Sequence, residues 1–73
     1  DGLDKVLVKD AWNKVMGDVI AKYTIAVNFE RDTLYVQLSS SVLREELSYG
    51  REKIIKMMNE ELGKELISEL VLR

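Results

Sequence analysis

The 73-residue sequence contains no cysteine, no histidine and no proline. Without thiolates or imidazoles it cannot form disulfides, thiolate-bound zinc sites or catalytic pairs of a nucleophile with histidine. The lack of cysteine fits a reducing compartment. The hydrophobic core must come from packing alone, and 47% of the residues are hydrophobic. A core of this size supplies about 3–5 kcal/mol of net stability.

Long apolar runs are also missing. No run approaches the roughly 20 apolar residues that span a bilayer, and no signal peptide opens the chain. We therefore expect a soluble, cytoplasmic protein without membrane contact. The chain begins at Asp1 rather than at methionine, so we expect residues 1–73 to be a single domain that lacks its native N-terminus.

Groups that support catalysis are equally scarce. The sequence has no Walker loop and no glycine-rich dinucleotide fingerprint. It has two carboxylate pairs, Glu45/Glu46 and Glu60/Glu61. Neighbours on a helix point about 100° apart, so neither pair converges on one substrate atom. We predict that the protein is not an enzyme and has no cofactor, no metal and no small-molecule substrate.

The first pattern that is present is helical and runs from about Leu3 to Tyr23. Apolar residues recur every three or four positions, which is typical of an amphipathic helix. This apolar stripe contains Val8, Trp12, Val15, Met16, Val19, Ile20 and Tyr23. Because Trp12 lies on this stripe, we predict that it belongs to the core. Gly17 followed by Asp18 predicts that one helix stops there and a short second one begins.

Two alternating segments follow, "TIAVNFE" and "TLYVQLS". Their period of two, with two polar residues between them, predicts an antiparallel hairpin. The apolar sets are Ile25, Val27 and Phe29 in the first segment and Leu34, Val36 and Leu38 in the second. Arg31–Asp32 is a poorer tight-turn pair than Asn-Gly, so we expect the loop to include a flanking residue.

The remaining sequence predicts more helix and a last strand. The serines of "SSSV" offer N-caps, and helical spacing continues to Leu62 before Gly63, a typical residue after a helix end. Gly50 interrupts this pattern, which predicts a helix break or a close packing contact. The tail "ELISELVLR" predicts a strand that carries Ser68, Leu70 and Leu72 on one face and Ile67, Glu69 and Val71 on the other.

The predicted order is α-β-β-α-(α)-β, an α+β fold with helices packed on one face of a small three-stranded sheet. The last strand follows a helical crossover, so it can pair parallel to a hairpin strand and give a mixed sheet.

The candidate residues for contact with a partner or a nucleic acid are basic, or lie at the predicted helix junction. They are Lys22, Arg44, Tyr49, Gly50, Arg51 and Lys53. The basic side chains are interleaved with glutamates, which favours a solvated helix face over a phosphate track. A net charge of −2 does not by itself indicate a nucleic-acid binder. An exposed Tyr49 could stack a base or cap the edge of the core.

The element order resembles the type II KH domain. In that family a GxxG loop joins the two central helices and contacts single-stranded nucleic acid. Here the equivalent junction reads "YGRE", and Gly50 matches the first glycine while Lys53 stands in place of the second. The resemblance therefore implies a KH-like fold with a degenerate loop.

The residues themselves resemble the DciA family, bacterial proteins of the helicase-loading machinery. The matching pieces, from Ala11 to Arg73, are "AWNKVMGDVIAKYT", "RDTLYVQLSSSVLREEL", "MNEELG" and a terminal strand that ends in arginine. Many relatives carry tryptophan where this chain has Leu43, and histidine is frequent at the Tyr23 position. The resemblance implies a KH-like domain in the bacterial cytoplasm that contacts the DnaB-type replicative helicase. Contact with DNA is implied too, through residues outside this fragment.

Three functions therefore stand as hypotheses. The first is a non-enzymatic DNA-replication accessory domain of DciA type that binds the helicase and DNA. The second is a KH-like binder of single-stranded RNA or DNA. The third is a generic protein-interaction module, because a terminal strand at the edge of a three-stranded sheet leaves that edge unprotected.

Overall fold

The computed structural model of the chain describes the backbone of residues 2–73 and the side chains of residues 4–73. Its elements are α1 Gly2–Lys22, β1 Thr24–Glu30, β2 Thr33–Leu38, α2 Ser41–Ser48, α3 Arg51–Leu62 and β3 Glu69–Leu72. The strands form one sheet in the order β1-β2-β3, in which β2 is antiparallel to β1 and parallel to β3. The predicted α+β fold, element order and mixed sheet are confirmed.

The core lies between the helices and one face of this sheet. Phe29 pairs with Leu34, and Leu34 also pairs with Leu70, so the three side chains point to the same face. The buried apolar residues are Val8, Ala11, Trp12, Phe29, Leu34, Val36, Leu38, Ile54, Met58, Ile67 and Leu70. The opposite face carries exposed or half-buried residues such as Asn28 and Tyr35, which leaves it open to water.

Trp12 is fully buried, as its place on the apolar stripe predicts. Its indole Nε1–H donates to Thr24 Oγ1 at 3.1 Å, and the Thr24 hydroxyl donates in turn to the Ile20 carbonyl at 2.8 Å. A buried tryptophan requires such a partner for its N–H group. The chain of bonds ties the middle of α1 to its own end and to the start of β1.

Gly17 breaks α1, as predicted, with φ 87° and ψ 172°. Only glycine adopts this backbone region without strain. The break changes the direction of the last turns, and Val19 is 70% exposed while Tyr23 is 46% exposed. The prediction that these two residues continue the core stripe is wrong, because the helical periodicity does not carry across the break.

The β1–β2 hairpin is tighter than expected. Glu30 pairs directly with Thr33, so the loop is only Arg31 and Asp32, and Arg31 takes φ 59°. The prediction of a longer loop is wrong because a non-glycine residue accepts the left-handed region here. Ile25 was also predicted to face the core, but the ladder shifts register between Thr24 and Ala26 and leaves Ile25 60% exposed.

The second half of the chain begins with a capped helix. Ser40 is the N-cap of α2, and its hydroxyl accepts a hydrogen bond from the Leu43 N–H at 3.1 Å, as the serines predict. Gly63 ends α3 with φ 78°, the left-handed conformation expected after a helix end.

A buried asparagine holds the segment between α3 and β3. Asn59 Nδ2 donates to the Ile67 carbonyl at 2.9 Å, and its Oδ1 accepts from Leu66 N–H at 3.1 Å and Ile67 N–H at 2.9 Å. Leu70 faces the core, as the predicted strand register requires. The prediction that Ile67 lies on the opposite face is wrong, because Ile67 precedes the strand and Asn59 directs it inward.

Candidate partner and nucleic-acid interface

The junction between α2 and α3 is a tight turn at Tyr49 and Gly50. The Tyr49 N–H donates to the Glu46 carbonyl at 3.4 Å, and the Gly50 N–H donates to the Leu47 carbonyl at 3.1 Å. The Gly50 carbonyl then accepts from the Ile54 N–H at 3.0 Å and opens α3. Two helices therefore meet here, and the predicted break at Gly50 is confirmed.

Gly50 does not mark a close approach of the backbone to another group. Its φ is −122° and its ψ is 30°, so its conformation is open to other residues. A Cβ atom added at Gly50 would meet no heavy atom within 4 Å. The alternative expectation, a close packing contact, is wrong.

Four of the candidate contact residues lie together at this turn. Tyr49, Gly50, Arg51 and Lys53 line an open depression of about 600 Å³, together with Ser48 and Glu52. Tyr49 is 78% exposed, and its hydroxyl donates to Glu45 Oε1 at 3.3 Å. The ring is therefore a surface group and not a cap on the core.

Arg44 lies on the side of α2 that faces β3. It is half-buried and lines a second depression of about 400 Å³, which we call the α2–β3 groove. Ser41, Val42, Arg44, Glu45, Ser48, Arg51 and Leu72 line this groove. Arg51 borders both depressions, so it joins the two surfaces.

Lys22 stands apart from these residues. It is exposed at the end of α1 and lines neither depression. The next residue, Tyr23, accepts a hydrogen bond from the Ser39 N–H at 2.8 Å. Lys22 therefore lies at the end of the sheet where α2 begins, away from the α2–α3 turn.

Arg44 and Arg51 have no acidic partner among the described residues. The ion pairs among the described residues join Lys5 to Glu30, Lys14 to Glu61 and Lys64 to Asp4, and all three lie outside the α2–β3 groove. These pairs are surface contacts of small energetic weight. The two guanidinium groups are therefore available to an anionic ligand.

The sequence patterns did not single out Val42 or Leu72 as surface residues. Val42 is 71% exposed in the first turn of α2, beside the α2–β3 groove. The helical spacing of α2 could have identified Val42 as exposed. Leu43 and Leu47 lie on the side of the helix that packs against the core, and Val42 does not lie on that side. Leu72 could not be placed in a groove without knowing that α2 packs beside β3.

No group of three or more aspartates and glutamates within the described residues is arranged to hold a metal ion. No helix in the described part of the chain is long and apolar enough to cross a membrane.

Comparison with protein families gives a match over nearly the whole chain. The model of the family described as "Dna[CI] antecedent, DciA" matches residues 1–72. Neither the curated proteins nor the solved structures include a match. The family model covers nearly the whole sequence, including every element of the fold and all the candidate contact residues, and the chain belongs to the DciA family.

Proposed function

We propose that this chain is a non-enzymatic DNA-replication accessory domain that binds the bacterial replicative helicase. The match of the DciA family model to residues 1–72 carries the proposal. The family is described as the antecedent of Dna[CI], a description that fits a helicase-loading role in the cytoplasm. We also propose that the domain is KH-like, because two helices meet at Gly50 between the second and third strands.

The proposed contact surface comprises the α2–α3 turn and the α2–β3 groove. Tyr49, Arg51 and Lys53 are exposed side by side, and a protein partner gains most from an exposed aromatic flanked by arginine. Arg44 extends the basic surface along α2. Lys22 is proposed as a separate basic contact at the end of α1. The proposed DNA contact uses the same basic residues together with segments outside residues 1–73.

Retention of a DnaB-type helicase by the immobilised full-length protein tests this function. We expect specific retention, and we expect substitution of Tyr49, Arg51 and Lys53 by alanine to reduce it. Lys56→Ala is the matched control, since Lys56 is exposed on the same helix and lines neither depression. A folded protein that retains no helicase contradicts the proposal. Equal loss in the Lys56→Ala variant contradicts the assignment of the surface.

The second candidate function is a KH-like binder of single-stranded RNA or DNA that acts without a helicase. The cluster of Tyr49, Arg51 and Lys53 around Gly50 favours it, since an aromatic ring and two cations suit bases and phosphates. It predicts salt-dependent binding of short oligonucleotides that weakens in Arg51→Ala and Lys53→Ala variants. If neither substitution weakens oligonucleotide binding, the α2–α3 turn is not the binding site for this function.

A further inference from the structure

The outer edge of β3 is open, and its hydrogen-bonding groups can be assigned. The Arg73 N–H donates to the Val36 carbonyl at 3.0 Å, and the Leu38 N–H donates to the Arg73 carbonyl at 2.7 Å. Arg73 therefore directs both backbone groups toward β2. In a parallel ladder this direction alternates along the strand, so Leu70 and Leu72 direct theirs away from β2.

The outward groups of Leu70 and Leu72 have no partner among residues 2–73. β3 has one neighbour in the sheet, β2, and no backbone or side-chain group in the described chain bonds to the other side. Natural edge strands are commonly protected by proline, by a bulge or by an inward-pointing charge. β3 is short, with four residues, but it has no proline, bulge or inward-pointing charge between Glu69 and Leu72, and its inward side chains are leucines.

The α2–β3 groove lies directly beside this open edge. Leu72 forms its strand side, and residues of α2 and the start of α3 form the rest. Arg44 and Arg51 lie in the groove without ion-pair partners, and Glu45 is the one acidic residue of its lining. The groove therefore combines an unpaired strand edge with two free guanidinium groups.

We propose that the open edge of β3 binds an extended acidic peptide of a partner protein as a fourth strand. The peptide backbone pairs with the N–H and C=O groups of Leu70 and Leu72, as in other cases of strand addition. Alternate side chains of an added strand point to the helical face of the sheet, where carboxylates reach Arg44 and Arg51.

A peptide fits this edge better than the alternatives do. Leu70 and Leu72 each present an N–H donor and a C=O acceptor at the open edge. The backbone of an extended peptide carries the complementary groups at every second residue. A second copy of β3 would bring Glu69 and Arg73, whose charges cancel, to a groove with an excess of positive charge. Charge complementarity therefore selects an acidic partner segment.

Binding of a synthetic peptide tests the proposal without the helicase. The probe is a fluorescein-labelled peptide of about eight residues, long enough to pair with an edge strand, with alternating glutamate and valine. We expect a saturable rise in fluorescence anisotropy that weakens with added salt. The same peptide with lysine in place of glutamate, and one with N-methylated alternate amides, are expected not to bind.

Two protein variants test the groove. Charge reversal by Arg44→Glu together with Arg51→Glu is expected to weaken peptide binding by about tenfold or more. If the double variant does not fold, Arg51→Glu alone replaces it, because Arg51 is exposed and its substitution leaves the core unchanged; weaker peptide binding is again expected. Lys56→Glu is the matched control on α3 and is expected to change binding by less than about twofold, because rim charges far from a site contribute little.

Hydrogen exchange measured by NMR provides the decisive readout. In the free protein the Leu70 and Leu72 amides should exchange quickly, while the Val71 amide is protected by its bond to β2. Bound peptide should slow exchange at Leu70 and Leu72 and leave Val71 unchanged.

Peptide binding without this protection overturns the proposal, as does tighter binding of an oligothymidylate that competes with the peptide. Protection of Leu70 and Leu72 in a dimer without peptide assigns the edge to a second copy and also overturns it. Helicase retention is a separate measurement, so failure of the peptide test leaves the proposed function intact.

Discussion

The two central helices are held to the molecule in different ways. α3 buries Ile54, Met58 and Asn59, whereas α2 has no buried residue. Only half-buried side chains, including Leu43 and Leu47, connect α2 to the core. A segment with few buried contacts opens at low free energy and is a common location for binding surfaces. α3 therefore contributes to the core, whereas α2 contributes little to it and keeps most of its side chains accessible at the surface.

Met58→Ala should cause the largest loss of stability of the variants considered for the two helices. Met58 is fully buried between the helices and the sheet, and truncation of such a side chain costs about 2–5 kcal/mol. That loss is comparable to the whole stability expected for a domain of this size. Urea unfolding followed by circular dichroism measures it, with Val42→Ala on α2 as the control, expected to stay within about 0.5 kcal/mol. Similar losses in the two variants would contradict the division between the helices.

Asn59→Leu should also be severe, although it keeps the number and branching of the side-chain heavy atoms. It leaves the Leu66 and Ile67 N–H groups and the Ile67 carbonyl without their partners, and each unsatisfied buried group costs about 1–3 kcal/mol. We expect a loss of at least about 2 kcal/mol and faster amide exchange at Ile67. Asn13→Leu on the exposed side of α1 is the control, and a comparable loss there would remove the special role of Asn59.

Gly17→Ala and Gly50→Ala separate a required break from a permissive one. Gly17 occupies φ 87°, where a side chain costs roughly 1–3 kcal/mol. Gly50 has a negative φ and open space around its Cα, so alanine there should change stability by less than about 0.5 kcal/mol. Thermal unfolding of the two variants measures the difference. A larger loss at Gly50 would show that the helix junction is constrained after all.

Ser40→Ala should cost less stability than the Met58, Asn59 and Gly17 substitutions, and it tests whether α2 and α3 open separately. The Ser40 hydroxyl accepts from the Leu43 N–H, and loss of such a cap costs about 1 kcal/mol. Because α2 has no buried residue to hold its first turn, we expect faster amide exchange within α2 and unchanged exchange in α3. Ser41→Ala, one position later and outside the cap, is the control. Equal changes in both helices would mean that they open as one unit.

The sequence predicted those features that depend on local pattern. Period-2 alternation located both hairpin strands, and the serines and glycines located the ends of α2 and α3. Two of its failures share one cause, which is a local irregularity that interrupts the regular alternation of side chains. The break at Gly17 exposes Val19, and the shifted register after Thr24 exposes Ile25. No periodicity rule includes such an offset.

The candidate surface was predictable only in part. The glycine in the middle of a helical pattern located the α2–α3 turn, and with it the exposed group of Tyr49, Arg51 and Lys53. The groove beside β3 was not predictable, because it depends on where α2 packs relative to a strand more than twenty positions later. Asn59 was also missed as a structural residue, since a polar residue on a helix resembles a solvated one until its partners are known.

The parallel pairing of β2 with β3 has a consequence for the order in which the domain folds. Glu30 and Thr33 of the hairpin are three positions apart, whereas Val36 and Leu72 are 36 positions apart. Closing the larger loop loses more chain entropy, so the hairpin can form early and β3 docks late. Until β3 docks, the edge that remains open belongs to β2. A partner peptide that recognises Leu70 and Leu72 therefore distinguishes the finished domain from its folding intermediates, and its binding reports that folding is complete.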